Sequence, residues 1–194
     1  MKNVGPLISM QEMSRCIQCT RCIRFGTEIG GLTEFGMVNR GDRSEITTFP
    51  TTWVNSELSG NMIDVCPVGA LTSKPFRYKA RGWELASHFS VSPHDGLGSN
   101  LNVQTLRGKV MRVLPFANEA VNECWLSDRD RFSYEALGSS DRLTVPMVKQ
   151  DNRWIETDWE TGLNYVAHGL KSIRRDHGPM SLAALISPQA TLEE

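Results

Sequence analysis

Apolar residues recur at helical spacing most clearly near the C-terminal end. Trp159, Leu163, Val166, Leu170 and Ile173 share one face of a helix. Thr157-x-x-Glu160 reads as a capping box at its start. Arg174, Arg175 and His177 fill its last turn, and Gly178 is placed to stop it. The apolar run Ser181–Ile186 after it predicts a buried strand, the opening of an α/β domain. Elsewhere the periods are shorter. Cys19–Ile29 predicts a short helix closed by Gly30-Gly31. Phe35–Val38 and Glu45–Phe49 predict two short strands joined across Asn39–Arg43. Within that joint Arg40-Gly41-Asp42 reads as a turn rather than as an adhesion motif. Ser59–Val65 predicts a helical turn running into Cys66, and Pro67 forces the exit. Leu101–Leu106 and Lys109–Leu114 flank Arg107-Gly108 as a hairpin. Asn118–Arg131 reads as loop with a short turn, and Ser140–Arg153 as a linker with a strand-like Leu143–Val148.

Composition narrows the functional classes. The chain has 194 residues, 40% hydrophobic and 22% charged, with a net charge of −1. These values fit a globular chain of one or two domains and no disordered tail. A balanced charge advertises neither nucleic acid nor an acidic membrane surface. Lys74, Arg77, Lys79 and Arg81 crowd one stretch, which is too short for a nucleic-acid patch and suits a linker packed against an anionic domain or a partner subunit. No run approaches the length of a membrane span. Met1–Met13 lacks the apolar core of a signal peptide, so the expected compartment is cytoplasmic, or the cytoplasmic side of a larger assembly.

The cysteines carry the chemistry. Cys16, Cys19 and Cys22 form C-x2-C-x2-C, and Cys66, separated from Cys22 by 43 residues, opens Cys66-Pro67-Val68-Gly69-Ala70-Leu71. The overlapping triplet offers three thiolates to three irons of a cubane. A remote cysteine followed by proline is the usual companion at the fourth iron. Zinc prefers two separate pairs or added histidines and fits this spacing poorly, yet it stands as an alternative. Four unliganded thiols are a further alternative. Cys124 stands alone and reads as a small hydrophobe. Arg15, Arg21 and Arg24 interleave with the triplet. They read either as cations beside an anionic cluster or as solvated surface charges. No G-x-G-x-x-G fingerprint follows a strand, which argues against hydride transfer within this chain.

A second spacing adds to the picture. Ser92, Asp95, Ser99 and Ser127 repeat the layout of a four-cysteine site, roughly C-x2-C-x3-C and a distant C, with no sulfur in it. The layout is similar to that of the small N-terminal domain of molybdopterin oxidoreductases. Hydroxyl and carboxylate oxygens replace thiolates poorly on iron. The expectation is a second fold that has lost its cluster, with chance spacing as the alternative.

The residues just described resemble a known family. Arg15–Phe25, Ser56–Asn61, Cys66–Pro75, Trp83-Glu84-Leu85, Leu97–Asn100 and Trp125–Asp128 are similar to the large iron–sulfur subunits of respiratory complex I. The resemblance implies an α+β chain in three parts. Residues 1–80 would form a ferredoxin-like [4Fe–4S] module. Residues 81–139 would form a small β-rich domain of the molybdopterin-oxidoreductase type without its cluster. Residues 140–194 would form the truncated start of an α/β domain, so that the chain reads as an internal fragment. It implies one cluster on Cys16, Cys19, Cys22 and Cys66, no molybdopterin, and single-electron relay between NADH and quinone. The enzyme would be an NADH:quinone oxidoreductase, a translocase, of which this stretch carries neither the hydride-transfer nor the quinone site. Partners would be other subunits of its peripheral arm, with no nucleic acid and no direct membrane insertion. The location would be the cytoplasmic face of the bacterial inner membrane, or the matrix side in a mitochondrion. Two other readings stand beside it: an electron-transfer subunit of a hydrogenase or formate dehydrogenase, and a module whose cluster only staples the fold.

Overall fold

The computed structural model describes residues 4–48, 53–187 and 190. The chain divides into two compact units, Met1–Glu135 and Ala136–Glu194.

The first unit begins with β1 (Ile8–Ser9), whose partner is the short strand β4 (Thr72–Ser73) just beyond Cys66. This pairing ties the start of the chain to the segment that returns from the distant cysteine. Between them, α1 (Arg21–Phe25) runs on without a break into a π-helical turn over Gly26–Gly30. The turn stops at Gly31, which adopts a left-handed φ of 64°. The expected helix over Cys19–Ile29 is therefore shorter at its start and widens at its end. Leu32 folds back over it, and its amide donates to the Gly26 carbonyl at 2.7 Å. A β-carbon on Gly26 would stand 3.3 Å from the Leu32 side chain, a tight contact that Leu32 would have to yield to. Strands β2 (Phe35–Val38) and β3 (Glu45–Thr48) pair antiparallel across the Arg40-Gly41-Asp42 turn. Phe49, the expected last residue of β3, lies outside the described residues. Helix α2 (Asn61–Val65) leads straight into Cys66. Val4, Ile8, Phe25, Leu32, Ile46 and Met62 belong to one buried apolar cluster, which also takes in Cys22.

The rest of this unit is an antiparallel sheet, β5 (Ala86–Val91), β6 (Asn100–Leu106) and β7 (Lys109–Pro115), in that order. The β6–β7 hairpin turns at Arg107-Gly108 as expected. Strand β5 was not legible in advance. It is an edge strand exposed along its whole length, so it carries no alternation of buried and solvent positions. The expected loop over Asn118–Arg131 ends in a helix, α3 (Asp128–Phe132), because the Ser127 hydroxyl caps it by accepting from the Asp130 amide at 3.1 Å. The apolar core here is small: Leu101, Val113 and Leu126. Two residues of the basic stretch after Cys66, Lys74 and Arg77, make internal ties; Lys74 Nζ donates to the Gly5 carbonyl at 2.5 Å. The Arg77 guanidinium donates to the Ser9 hydroxyl and to Glu12 Oε1, the latter at 2.6 Å.

The second unit contains a hairpin, β8 (Met147–Gln150) with β9 (Arg153–Glu156), and helix α4 (Trp159–His177). Three expectations need correction. The strand starts at Met147 rather than Leu143, immediately past Pro146, which has no amide to give a ladder. The cap of α4 is Asp158, not Thr157. Its Oδ1 accepts the Thr161 amide at 2.6 Å, while the Thr157 amide is taken by the Pro146 carbonyl. Ser181–Ile186 forms no strand. Pro179–Ser181 makes one 3-10 turn, and the residues to 187 are irregular and exposed, with no strand among the described residues to pair with.

Candidate iron–sulfur centre

The cysteine loop is wound by two residues that are not glycine. Gln18 and Thr20 have φ of 57° and 59°, one on each side of Cys19. Alternating left-handed and ordinary backbone curls a chain so that its amides face inward, a geometry found around phosphates and iron–sulfur sites. The Gln18 amide already points at Cys16 Sγ, 3.4 Å away. The Gln18 side chain fixes the loop from outside, its Nε2 donating to the Ser44 carbonyl at 2.8 Å. Arg21 then starts α1, which places Cys22 inside the apolar core.

Cys66 arrives by a different route. It ends α2 with an extended φ, ψ of −76° and 108°, the conformation a following proline imposes. Gly69, at φ 64°, turns the chain back along the same wall. Cys16, Cys19, Cys22 and Cys66 all line one small pocket, whose other walls include Ile46, Ala70 and Leu71. The loop and the remote cysteine therefore converge. Burial pushes the Cys22 thiol up to about 11, with the neighbouring Cys19 and Cys66 sulfurs adding to the rise. Such a shift marks sulfurs crowded together in an apolar setting. A zinc site draws its four donors to about 2.0–2.3 Å from one point. A cubane takes each thiolate at a different iron, so its sulfurs stand further apart. The four-thiol donor set in an apolar pocket fits such a cluster. Of the interleaved arginines, Arg21 borders this pocket, while Arg15 pairs with Glu12 at 3.8 Å. Cys124 is exposed and outside the pocket.

The second spacing leads elsewhere. The Ser92 hydroxyl donates to Asp130 Oδ1 at 2.5 Å, and the Ser127 hydroxyl donates to Asp130 Oδ2 at 2.9 Å. The Ser92 amide donates to the Ser99 carbonyl at 2.8 Å. Three of the four positions are thus drawn together, two of them by one buried carboxylate. Asp95 takes no part; its Oδ1 accepts the Leu97 amide at 3.0 Å. The ring of His94 contacts the Ser133 hydroxyl at 2.6 Å, closing the loop from the other side. Sequence reading missed Asp130 and His94. Neither stands in the cysteine-like spacing, and only the fold brings them to it. These residues do not fit an iron–sulfur cluster. They offer oxygens already committed to each other and no sulfur.

Known proteins match the chain in the same order as its parts. The ferredoxin-like domain of NADH-quinone oxidoreductase subunit 3 matches residues 5–72. The 4Fe-4S domain of the NADH-ubiquinone oxidoreductase NDSU1/NuoG-like family matches residues 87–135, and molybdopterin oxidoreductase matches residues 142–194. The NADH-quinone oxidoreductase G subunit of Rickettsia felis is 44% identical over 97% of this chain and 28% of its own length. The NADH-ubiquinone oxidoreductase 75 kDa subunit of Reclinomonas americana is 46% identical over 91% of this chain and 25% of its own. The mitochondrial 78 kDa subunit of Neurospora crassa is 46% identical over 89% and 23%. The chain spans about a quarter of the length of these relatives. In the stretch similar to molybdopterin oxidoreductase, the concavity beside the β8–β9 hairpin is walled by Leu143, Val145, Pro146, Met147, Trp154 and Trp159, with Thr144 between them.

Proposed function

We propose, for a chain whose sequence matches the G subunit of NADH-quinone oxidoreductase along nearly its whole length, that Cys16, Cys19, Cys22 and Cys66 hold one [4Fe–4S] cluster and that the chain relays single electrons on the path from NADH to quinone. The observation that carries this reading is the convergence of all four cysteines on one pocket across a gap of 43 residues. One-electron uptake and release is the chemistry such a cluster supplies when bound. The polypeptide does the rest. Cys22 and Cys66 are presented by the ends of two packed helices, and Cys16 and Cys19 by a backbone curl. Ile46, Ala70 and Leu71 keep water from the sulfurs. The Gln18 amide supplies a donor to a thiolate, an interaction that favours added negative charge. No proton transfer is asked of any side chain here.

The fold associated with a second cluster carries none in this reading, because Asp130 binds Ser92 and Ser127 where thiolates would be required. Neither is a pterin assigned. The sidedness we propose is peripheral, on the cytoplasmic or matrix face, among other subunits of the enzyme's peripheral arm. Among the described residues no helix is long and apolar enough to cross a membrane.

Anaerobic purification of the full-length protein, with electron paramagnetic resonance and metal analysis, tests the assignment. A reduced cubane signal assigned to these four ligands is expected. Zinc in place of iron, with no cubane signal, overturns it. A redox titration inside the assembled enzyme then separates relay from staple: a cluster that stays in one oxidation state while NADH is consumed would reject electron relay.

A further inference from the structure

Between the cysteine pocket and the cluster-free sheet lies a dense polar contact that neither binds a cluster nor belongs to an apolar core. It joins Glu57–Asp64, which lead to Cys66, with Trp125–Arg131. Asn61 is fully buried and satisfied through every polar atom of its amide. Its Nδ2 donates to the carbonyls of Leu58 at 2.9 Å and Leu126 at 2.8 Å. Its Oδ1 accepts the Leu126 amide at 3.0 Å and Arg131 Nη2 at 3.2 Å. The buried Arg131 guanidinium also forks onto both carboxylate oxygens of Asp64, two residues before Cys66. Asp128 serves as a cap from outside the helix: Oδ1 accepts the Gly60 amide at 2.6 Å and Oδ2 the Ser59 hydroxyl at 2.5 Å. Its own amide donates to the Glu57 carbonyl at 2.6 Å.

The same short segment reaches the other ligand-bearing helix. The ring of Trp125 lies 5.0 Å from that of Phe25, on α1, three residues past Cys22. We propose that Trp125–Arg131 is a positioning clamp that holds α1 and α2 at the separation the cluster ligands require, with Asn61, Asp128 and Arg131 as its positioning residues. The inference rests on the cluster assignment made above.

Three features favour positioning over plain packing. The bonds are directional and mostly charge-assisted, which fixes angle as well as distance. They fall on the short segment before Cys66, not along the sheet. There is also no slack at Gly60: a β-carbon there would meet Arg131 Cδ at 2.6 Å and Asp128 Oδ1 at 2.8 Å. The apolar core of the sheet is small, with Leu101, Val113 and Leu126 buried and Val103, Val110 and Tyr134 packed against them, and a core of that size fixes distance weakly by packing alone. On this reading the sheet, which offers no thiolate at Ser92, Ser99 and Ser127, serves the cluster next to it.

The test uses the full-length protein in its assembled enzyme and compares wild type with Asp128→Ala, Asp128→Asn and Ser59→Ala. The readouts are iron release to a chelator, the g-values of the reduced cluster and its midpoint potential. Asp128→Ala is expected to release iron on the order of tenfold faster, the low end of the range for groups that orient metal ligands, and to shift signal and potential. Asp128→Asn keeps an acceptor for the Gly60 amide and is expected to restore most of the wild-type behaviour. Ser59→Ala removes one bond and is expected to move all three readouts less, in the same direction; it decides the matter where Asp128→Ala does not fold. Unchanged signal, potential and iron release in Ser59→Ala and in any folded Asp128→Ala overturn the clamp alone. A wild-type protein with no cubane signal overturns the cluster assignment, and the clamp with it.

Discussion

At the scale of the residue, the five cysteines stand in different settings, four at one pocket and one outside it. Cys22 is buried and its thiol is raised to about 11, whereas Cys124 is exposed. Cys16→Ser and Cys66→Ser are each expected to abolish the cluster, because a hydroxyl is a poor ligand for iron in a sulfur site. Iron and sulfide per chain, with the reduced spectrum, check this. Cys124→Ser is expected to leave both unchanged, and a loss of iron there would mean that the ligand set is wrong. Gly60 offers a sharper probe, since its φ is ordinary and only the contact forbids a side chain. Gly60→Ala is expected to cost about 1–3 kcal/mol by overpacking, read by denaturant unfolding. The four cysteines that share the pocket were legible in the sequence because their spacing is local chemistry plus one marked cysteine-proline. Asp128, Arg131 and Asn61 were not, because the partners each one meets stand some 65–70 positions away along the chain and no spacing rule connects them.

Elements were legible where apolar residues recur with a helical or strand period in the sequence, and illegible where they do not. The β6–β7 hairpin and the β2–β3 pair follow from alternation and a glycine turn. Strand β5, wholly exposed, gave no period. Ser181–Ile186 has the composition of a strand and lacks the neighbour that would make it one. Helix α4 was read correctly from its stripe, yet its cap was displaced by one residue. Thr157 and Asp158 are both good caps, and a carboxylate is the stronger acceptor for the first-turn amides. The hydrogen bond from the Thr161 amide holds the Asp158 carboxyl below the usual carboxylate range. A depressed folded pKa stabilises above the ordinary carboxylate value and is lost as pH falls through the folded one. Asp158→Ala is therefore expected to fray the first turn of α4 at neutral pH, seen as faster amide exchange at Thr161 and Gly162. Asp158→Asn, which keeps the acceptor, is expected to retain most of the protection and to lose the acid dependence.

For the whole molecule, the two units differ in what holds them. The first contains a pocket lined by four thiols, the apolar cluster that takes in Cys22, and polar ties between Glu57–Asp64 and Trp125–Arg131. The second has a hairpin and a capped helix whose backbone bonds close within themselves. Where a metal site does not exist in the unfolded chain, binding free energy becomes folding free energy. Removing iron from the full-length protein with a chelator should then act unevenly. Amide exchange is expected to rise first across residues 14–76, where the ligands and the helices that carry them lie. It should spread next to Trp125–Arg131, which grips those helices through Asp128 and Arg131. Residues 147–177 should keep their wild-type protection throughout. The order distinguishes a cluster that organises its surroundings from one merely lodged in them. Simultaneous loss of protection in 14–76 and 147–177 would show instead that the units unfold as one, and that the cluster stabilises the chain as a whole rather than the unit that binds it.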